Sequence, residues 1–222
     1  LDPLDGTTNF LNGLPLFASS IGVLYRGWPM AAALYLPWPN GQGGFVLHCR
    51  KGGGAFADDE PVSVYATEEP VPNRLIGVPG YFGVANHFSK RLTGKAGEPR
   101  TTGSIAYELA MTARGVMQYT IIGAPRLWDM AGGALAVVEA GGTVMTRFRG
   151  ERKWHPMECL VPSWDDKTPT MKELRGWVAP LVAGNNHLAP LIANNVRRRF
   201  SLKAKLRPLI EPFRRRKKSA SF

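Results

Sequence analysis

The chain has 222 residues, of which 44% are hydrophobic and 20% charged, so it can bury one or two globular cores and does not resemble a disordered protein. No apolar run approaches the roughly 18 residues that a membrane-spanning helix needs. Residues 197–222 hold eleven Lys or Arg and one Glu, a net charge of +10, which leaves +1 of the total +11 for residues 1–196. The charge therefore indicates an ordinary body with an appended basic tail, not a nucleic-acid-binding protein throughout.

Short apolar runs with β-compatible residues dominate the first part of the chain. Residues 17–25 and 30–36 are predicted to form strands joined by a hairpin at residues 26–29. Residues 44–48 and 62–65 continue the same pattern. We therefore expect a mostly antiparallel sheet here.

Helices and strands alternate from residue 74 onward. The pattern predicts strands at residues 75–78, 116–122 and 143–146, and helices at residues 104–114, 129–140 and 188–199. This alternation favours layered α/β packing. The stretch between the last two helices, residues 147–177, is rich in Trp and Pro and is predicted to be a long surface excursion. We expect three parts: an antiparallel domain at 1–70, an α/β domain at 71–199 and a basic tail at 200–222.

The first candidate site lies at residues 1–10, which read LDPLDGTTNF. Asp2 and Asp5 flank Pro3, whose fixed φ favours a tight turn in which both carboxylates can converge. Hard cations such as Mg²⁺ prefer such oxygen ligands. After the acids, Gly6 and the threonines that follow are predicted to open a helix, whose N–H groups favour an anion. For an isolated pair of acids at this spacing, the alternative is a purely structural role, an Asx turn with a helix cap.

The second candidate site lies at residues 127–142, which read LWDMAGGALAVVEAGG. Asp129 is expected at the start of the helix, where an N-cap is the simple structural interpretation, although capping does not exclude metal binding. The small residues Ala131, Gly132 and Gly133 permit close approach to neighbouring elements. Such an approach would bring Asp129 near the acids of the first motif.

Together, these two segments resemble the paired signatures of the inositol monophosphatase family. Four further stretches of residues fall in the order expected for that family: 15–22, 53–56, 103–106 and 183–186. The resemblance implies a layered αβαβα sandwich of the inositol monophosphatase and fructose-1,6-bisphosphatase type, lacking its N-terminal helices. It also implies a homodimer, a cytoplasmic location and inhibition by Li⁺.

The same resemblance assigns roles to residues of the first and second motifs. Asp2, Asp5 and Asp129 resemble the metal-binding carboxylates, and the main-chain carbonyl of Leu4 is a further ligand, for two or three Mg²⁺ ions. Asp2 and Thr7 match the catalytic residues, with the Thr7 hydroxyl orienting the attacking water.

Phosphate and leaving-group contacts follow from the resemblance as well. Gly6 and Thr7 match the phosphate-binding pair, and Gly103, Ser104 and Ile105 match the segment that lines the leaving-group side.

Two departures from the family pattern affect these expectations. Where inositol-specific members place a glutamate that binds sugar hydroxyls, this chain has Ile121 ahead of Gly123. The family's upstream metal-binding glutamate and water-activating loop would precede Leu1, so we expect this chain by itself to be inactive or nearly so.

The implied reaction is hydrolysis of a phosphate monoester of an inositol-like alcohol, sugar or polyol by metal-activated water. Fructose-1,6-bisphosphatase activity and a 3'-phosphoadenosine-type nucleotide phosphatase share these motifs and stay open. An alternative of another class is a catalytically dead scaffold whose basic tail binds anionic membrane or nucleic acid. For the tail alone, a solvated extension is the competing interpretation.

The remaining metal-type residues do not point to a second site. Cys49 and Cys159 lack the spacing of a disulfide framework or zinc knuckle and are expected to be buried thiols. His155, Glu158 and Cys159 have helical spacing, but in a Pro-rich stretch they are expected to be surface residues and not a soft-metal site.

Overall fold

The computed structural model describes residues 1–38, 43–164 and 166–199. The predicted basic tail at 200–222, with its hypothesis of binding to anionic surfaces, lies outside the described residues. Within them, no helix is both long and apolar enough to cross a membrane.

The first sheet is an antiparallel meander in which each strand pairs with the next along the chain. Its six strands are β1 (Asp2–Asp5), β2 (Ala18–Tyr25), β3 (Trp28–Leu36), β4 (Phe45–Arg50), β5 (Ala55–Ala57) and β6 (Glu60–Pro61). The predicted hairpin joins β2 to β3, and Arg26 and Gly27 take φ values of 50° and 83°. Positive φ at two successive turn residues matches the right-handed twist of the flanking strands.

The prediction of a strand at residues 62–65 is wrong. Only Glu60 and Pro61 form β6, although the Val62 N–H still donates to the carbonyl of Ala55 in β5. The Val64 N–H donates instead to the carbonyl of Ala140, at the end of a helix. Val64 is therefore buried beside the end of that helix without belonging to a strand.

The second sheet is mixed and follows the order β12-β11-β13-β10-β7-β9. Its strands are β7 (Leu75–Gly77), β9 (Glu98–Arg100), β10 (Met117–Ile122), β11 (Gly142–Thr146), β12 (His155–Pro156) and β13 (Leu181–Asn185), while β8 (Asn86–Phe88) lies outside it. The β7 strand runs parallel to both β9 and β10, and the other pairs are antiparallel.

Two helices fill the space between the sheets. These two are α3 (Ile105–Ala113) and α4 (Leu127–Glu139). The other α-helices of the described residues are α1 (Thr7–Leu11), α2 (Phe82–Ala85), α5 (Met171–Arg175) and α6 (Leu188–Ala193). The α3 and α4 pair packs on strands of both sheets, and α6 covers the far face of the second sheet. Buried residues from both sheets and both central helices form one core, so the predicted boundary at residue 70 separates two sheets that share this core. This arrangement confirms the predicted layered sandwich.

The helix predicted at residues 188–199 is too long. It ends at Ala193, because the side-chain amides of Asn194 and Asn195 donate back to carbonyls of its last turn. The next residues form β14 (Val196–Arg198), which pairs antiparallel with β8 in a separate two-stranded sheet. A distant partner strand therefore sets the structure of this segment.

The stretch predicted as a surface excursion, residues 147–177, is in part core. Met157, Leu160 and Val161 are buried, and β12 extends the second sheet. The Leu160 N–H donates to the carbonyl of Gly27 in the first sheet's hairpin, so this stretch ties the two sheets together. The prediction is therefore wrong for these residues.

Candidate metal and phosphate site

The first motif forms the edge strand β1 and not the tight turn expected from Pro3. Asp2 pairs with Ser20 and Asp5 with Ala18, with an irregular register between the two pairs. The carboxylate of Asp2 accepts a hydrogen bond from the Leu4 N–H at 3.1 Å. An extended strand with a bulge places the two acids near each other, because the bulge changes the direction of the side chains.

The turn after β1 requires glycine. Gly6 has a φ of 86°, and a Cβ atom there would lie 2.8 Å from the carbonyl oxygen of Leu16. The helix α1 then begins at Thr7, whose hydroxyl donates to the carbonyl of Leu4 at 2.8 Å. Because the Thr7 proton is engaged by Leu4, the oxygen lone pairs of Thr7 are left to accept a hydrogen bond from another group.

Asp5 is tied to the start of α3. Its Oδ2 atom accepts hydrogen bonds from the Ser104 hydroxyl at 2.8 Å and the Ala106 N–H at 2.6 Å. Burial raises the pKa of Asp5 to about 6, the two hydrogen bonds oppose this rise, and the charges of Asp129 and Asp2 add to it. The structure therefore brings Ser104 of the third predicted segment directly onto the first motif.

Asp129 lies inside the first turn of α4 and not at its N-cap. The helix begins at Leu127, two residues earlier than predicted, and the Asp129 carboxylate accepts a hydrogen bond from the N–H of the N-cap residue Arg126 at 2.8 Å. Burial raises the pKa of Asp129, and the charge of Asp2 and a hydrogen bond with its side chain raise it further. The two predicted motifs thus meet through this pair of carboxyl groups.

Close packing of small residues positions α4. A Cβ atom at Gly22 of β2 would lie 3.0 Å from the Gly132 nitrogen, and one at Gly133 would lie 2.5 Å from Leu109 Cβ. Such distances leave no room for larger side chains. The helix can therefore approach both β2 and α3 closely enough for Asp129 to reach the acids of β1.

The acidic side chains lie within electrostatic range but do not form a closed set of ligands. In the described part of the chain, no group of three His, Cys, Asp or Glu side chains is arranged to hold a metal ion. Asp5 turns Oδ2 toward α3, whereas the carboxyl group of Asp2 lies close enough to Asp129 to help raise its pKa. Magnesium commonly uses one or two carboxylates and completes its octahedron with waters and phosphate oxygens, so these hard oxygen donors fit Mg²⁺. The metal assignments stay predictions.

His155 is engaged elsewhere. Its Nε2 atom lies 2.8 Å from the Glu151 carboxylate, which pairs with it at the surface. In the described residues, His155 is thus partly exposed and paired with Glu151. Cys49 is buried as expected, whereas Cys159 is partly exposed.

Two further residues organise the site, although the motifs gave no role to either. The amide of Asn9 donates to the carbonyls of Leu16 and Thr102, each at 2.6 Å, and so joins α1 to the loop before α3. Glu108 is buried and accepts hydrogen bonds from the Thr102 N–H and hydroxyl and from the Thr120 hydroxyl. Burial raises the pKa of Glu108. In the sequence, Glu108 could have been identified as an acidic residue on the apolar face of a predicted helix.

A cleft of about 260 Å³ opens beside these acids. Gly103, Ser104 and Ile105, predicted for the leaving-group side, line it together with the end of β10. A larger cavity of about 360 Å³ lies along the C-terminal half of α4 around Trp28 and contains none of the predicted site residues. The smaller cleft adjoins the acidic site through Ser104, whose hydroxyl donates to Asp5.

Known proteins of similar sequence include phosphatases. The phosphatase IMPL1 of Arabidopsis thaliana chloroplasts is 36% identical over 157 residues, which are 68% of this chain and 42% of that protein. The inositol-1-monophosphatase of Mesorhizobium japonicum is 35% identical over 157 residues, covering 68% and 57% of the respective chains. The chain thus spans about half the length of these curated relatives.

A solved structure gives the same result for the fold. The extragenic suppressor protein SuhB of Bartonella henselae superposes with a TM-score of 0.62 at 28% identity, over 86% of this chain and 69% of that one. The sequence profile of the inositol monophosphatase family matches residues 1–182, which include both acidic motifs. By this match, this chain belongs to the inositol monophosphatase family.

Proposed function

We propose that the chain carries the main part of a magnesium-dependent centre that hydrolyses phosphate monoesters. The observation that carries the proposal is that Asp2, Asp5 and Asp129, from motifs distant in sequence, lie within electrostatic range of one another. Burial raises the pKa of Asp5, and the charges of Asp129 and Asp2 add to this rise. Family membership adds support, since relatives bear the names inositol-1-monophosphatase and fructose-1,6-bisphosphatase/inositol-1-monophosphatase. Like charges gathered in a partly buried site favour a cation as their counter-ion.

Each group has a distinct role in this proposal. Asp2, Asp5, Asp129 and the carbonyl of Leu4 would hold Mg²⁺, which when bound would supply positive charge for the transferring phosphoryl group and lower the pKa of a water. Ser104 and the Ala106 N–H fix one oxygen of Asp5 and leave Oδ1 for the cation.

Thr7 directs the water. Its hydroxyl proton is engaged by the Leu4 carbonyl, so the oxygen accepts a hydrogen bond from the attacking water and sets its orientation. Gly6 provides the close approach of the backbone to phosphate, because its φ of 86° turns the chain without a side chain in the way.

Binding of Mn²⁺ tests the metal assignment on this chain itself. Electron paramagnetic resonance measures free Mn²⁺, and we expect Asp129→Asn to weaken binding more than about tenfold, since a lost charge at close range is worth more than about 1.4 kcal/mol. Asp59→Asn, at an exposed position of the turn before β6, is the matched control. Equal affinity of the Asp129→Asn variant and the unaltered chain would defeat the assignment.

Turnover tests the rest of the proposal. A protein extended upstream to the length of the curated relatives is assayed with Mg²⁺ on inositol phosphate, fructose bisphosphate and 3'-phosphoadenosine phosphate. Release of phosphate by the extended protein that Asp129→Asn leaves unchanged would refute the role of this centre. Dimerisation, cytoplasmic location and binding of an anionic surface by the tail stay predictions.

A further inference from the structure

The cleft beside the acids has an apolar wall. Pro79, Ile105, Ile121 and Ala124 contribute aliphatic surface, and Tyr81 contributes an aromatic ring. Ser104 belongs both to this cleft and to the hydrogen bond that holds Asp5. A group attached to a phosphate at the acidic site would therefore lie against this wall.

The polar side chains of the cleft are largely engaged within the protein. The Thr101 hydroxyl donates to the Val78 carbonyl at 2.8 Å, and the Ser104 hydroxyl donates to Asp5 and accepts from the Tyr107 N–H. Both oxygens of Glu108 accept hydrogen bonds from Thr102 or Thr120. A row of hydroxyl groups on a polyol would find few partners here, and unpaired hydroxyls in a cleft cost binding energy.

The ring of Tyr81 packs against Gly123. A Cβ atom at Gly123 would overlap the Tyr81 hydroxyl, so the tyrosine lies directly on the glycine backbone. Tyr81 is nevertheless 49% exposed, so about half of the residue is accessible to a ligand. Aromatic rings stack favourably on flat apolar groups.

We propose that the substrate alcohol at this site carries a flat aromatic group, which stacks on Tyr81 in the cleft lined by Ile105 and Ile121. This inference rests on the proposed phosphatase function, because the phosphate must occupy the acidic site for the ring to reach the cleft. It selects an aryl or heteroaryl phosphate ester over an inositol or other polyol phosphate.

Ligand binding to the chain in excess Mg²⁺ tests the inference by calorimetry with three probes. Naphthyl phosphate is expected to bind about tenfold more tightly than inositol phosphate, the equivalent of about 1.4 kcal/mol, and inorganic phosphate reports the acidic site alone. Tyr81→Ala should abolish the preference without changing the affinity for inorganic phosphate, whereas Tyr81→Phe should keep it. Gly123→Ala should also reduce the preference by displacing the ring, and Tyr25→Ala, an exposed tyrosine of the first sheet, is the control.

The outcomes separate the two proposals. Binding of inorganic phosphate together with equal or tighter binding of inositol phosphate overturns the aromatic preference and leaves the phosphatase proposal standing. Equal weakening of all three probes by Tyr81→Ala also overturns the aromatic preference alone. Absence of any Mg²⁺-dependent binding of inorganic phosphate overturns both.

Discussion

Replacing Asp5 by Asn is expected to stabilise the metal-free protein. The two hydrogen bonds to Asp5 both end on Oδ2, so an asparagine can place its carbonyl oxygen there and keep the bonds from Ser104 and Ala106. The substitution removes a charge that is partly buried and repelled by Asp129 and Asp2. Because the contacts persist and the repulsion does not, the free energy of unfolding should rise.

The pKa of Asp5 sets the size and pH dependence of this gain. Its pKa in the folded protein is about 6 against an ordinary value of 3.8. At about 1.36 kcal/mol per pKa unit, ionised Asp5 costs the folded state up to about 3 kcal/mol. Because the pKa of Asp5 is raised in the folded protein, protonation of Asp5 stabilises the folded state. This stabilisation is complete below pH 3.8 and is lost as the pH rises through about 6. The Asn variant should therefore match the parent in acid and exceed it above pH 6.

Urea unfolding in the presence of a chelator measures the difference at several pH values. Asp59→Asn is the control, since Asp59 is exposed and the same change of net charge there should alter stability by less than about 0.5 kcal/mol. A variant at Asp5 that is less stable than the parent above pH 6, or a difference that does not change with pH, would refute the reasoning.

Two further predictions concern the packing of α4. Glu139→Ala should destabilise the protein by about 2 kcal/mol, because the carboxylate accepts three N–H bonds from the turn at residues 52–54. The midpoint of urea unfolding measures this loss, and Glu139→Gln should recover about half of it. An unchanged midpoint for Glu139→Ala would contradict the prediction. Gly133→Ala should lower the melting temperature, since its Cβ would lie 2.5 Å from Leu109 Cβ, whereas Gly83→Ala, with nothing within 4 Å in α2, should raise it slightly. A shift of the same sign in both glycine variants would contradict this account.

Local sequence predicted the elements whose structure is fixed locally. The hairpin between β2 and β3 follows from a turn that needs positive φ at Gly27, and α3 follows from Ser104, whose hydroxyl caps the helix by accepting the Tyr107 N–H. Both signals lie within a few residues of the structure they determine. The small residues of α4 likewise predicted close packing without naming the partner.

Distant contacts decided the segments that were predicted wrongly. Residues 196–198 continue a helical pattern but pair with β8, more than 100 residues earlier in the chain. Asp2 and Asp5 have the spacing of a turn, yet they lie in a strand because β2 offers an edge for pairing. Propensity is a weak guide wherever such a partner exists, and the partner is not visible in the local sequence.

The same electrostatics governs both the stability and the proposed chemistry of the site. The burial and like charges that raise the pKa of Asp5 make the metal-free site unfavourable, and a divalent cation removes both the repulsion and the need for protonation. If the carboxylates were kept for stability alone, an arrangement that repels itself would have no advantage over amides that keep the hydrogen bonds to Ser104 and Ala106. The unfavourable charge therefore supports the proposal that this site binds a cation.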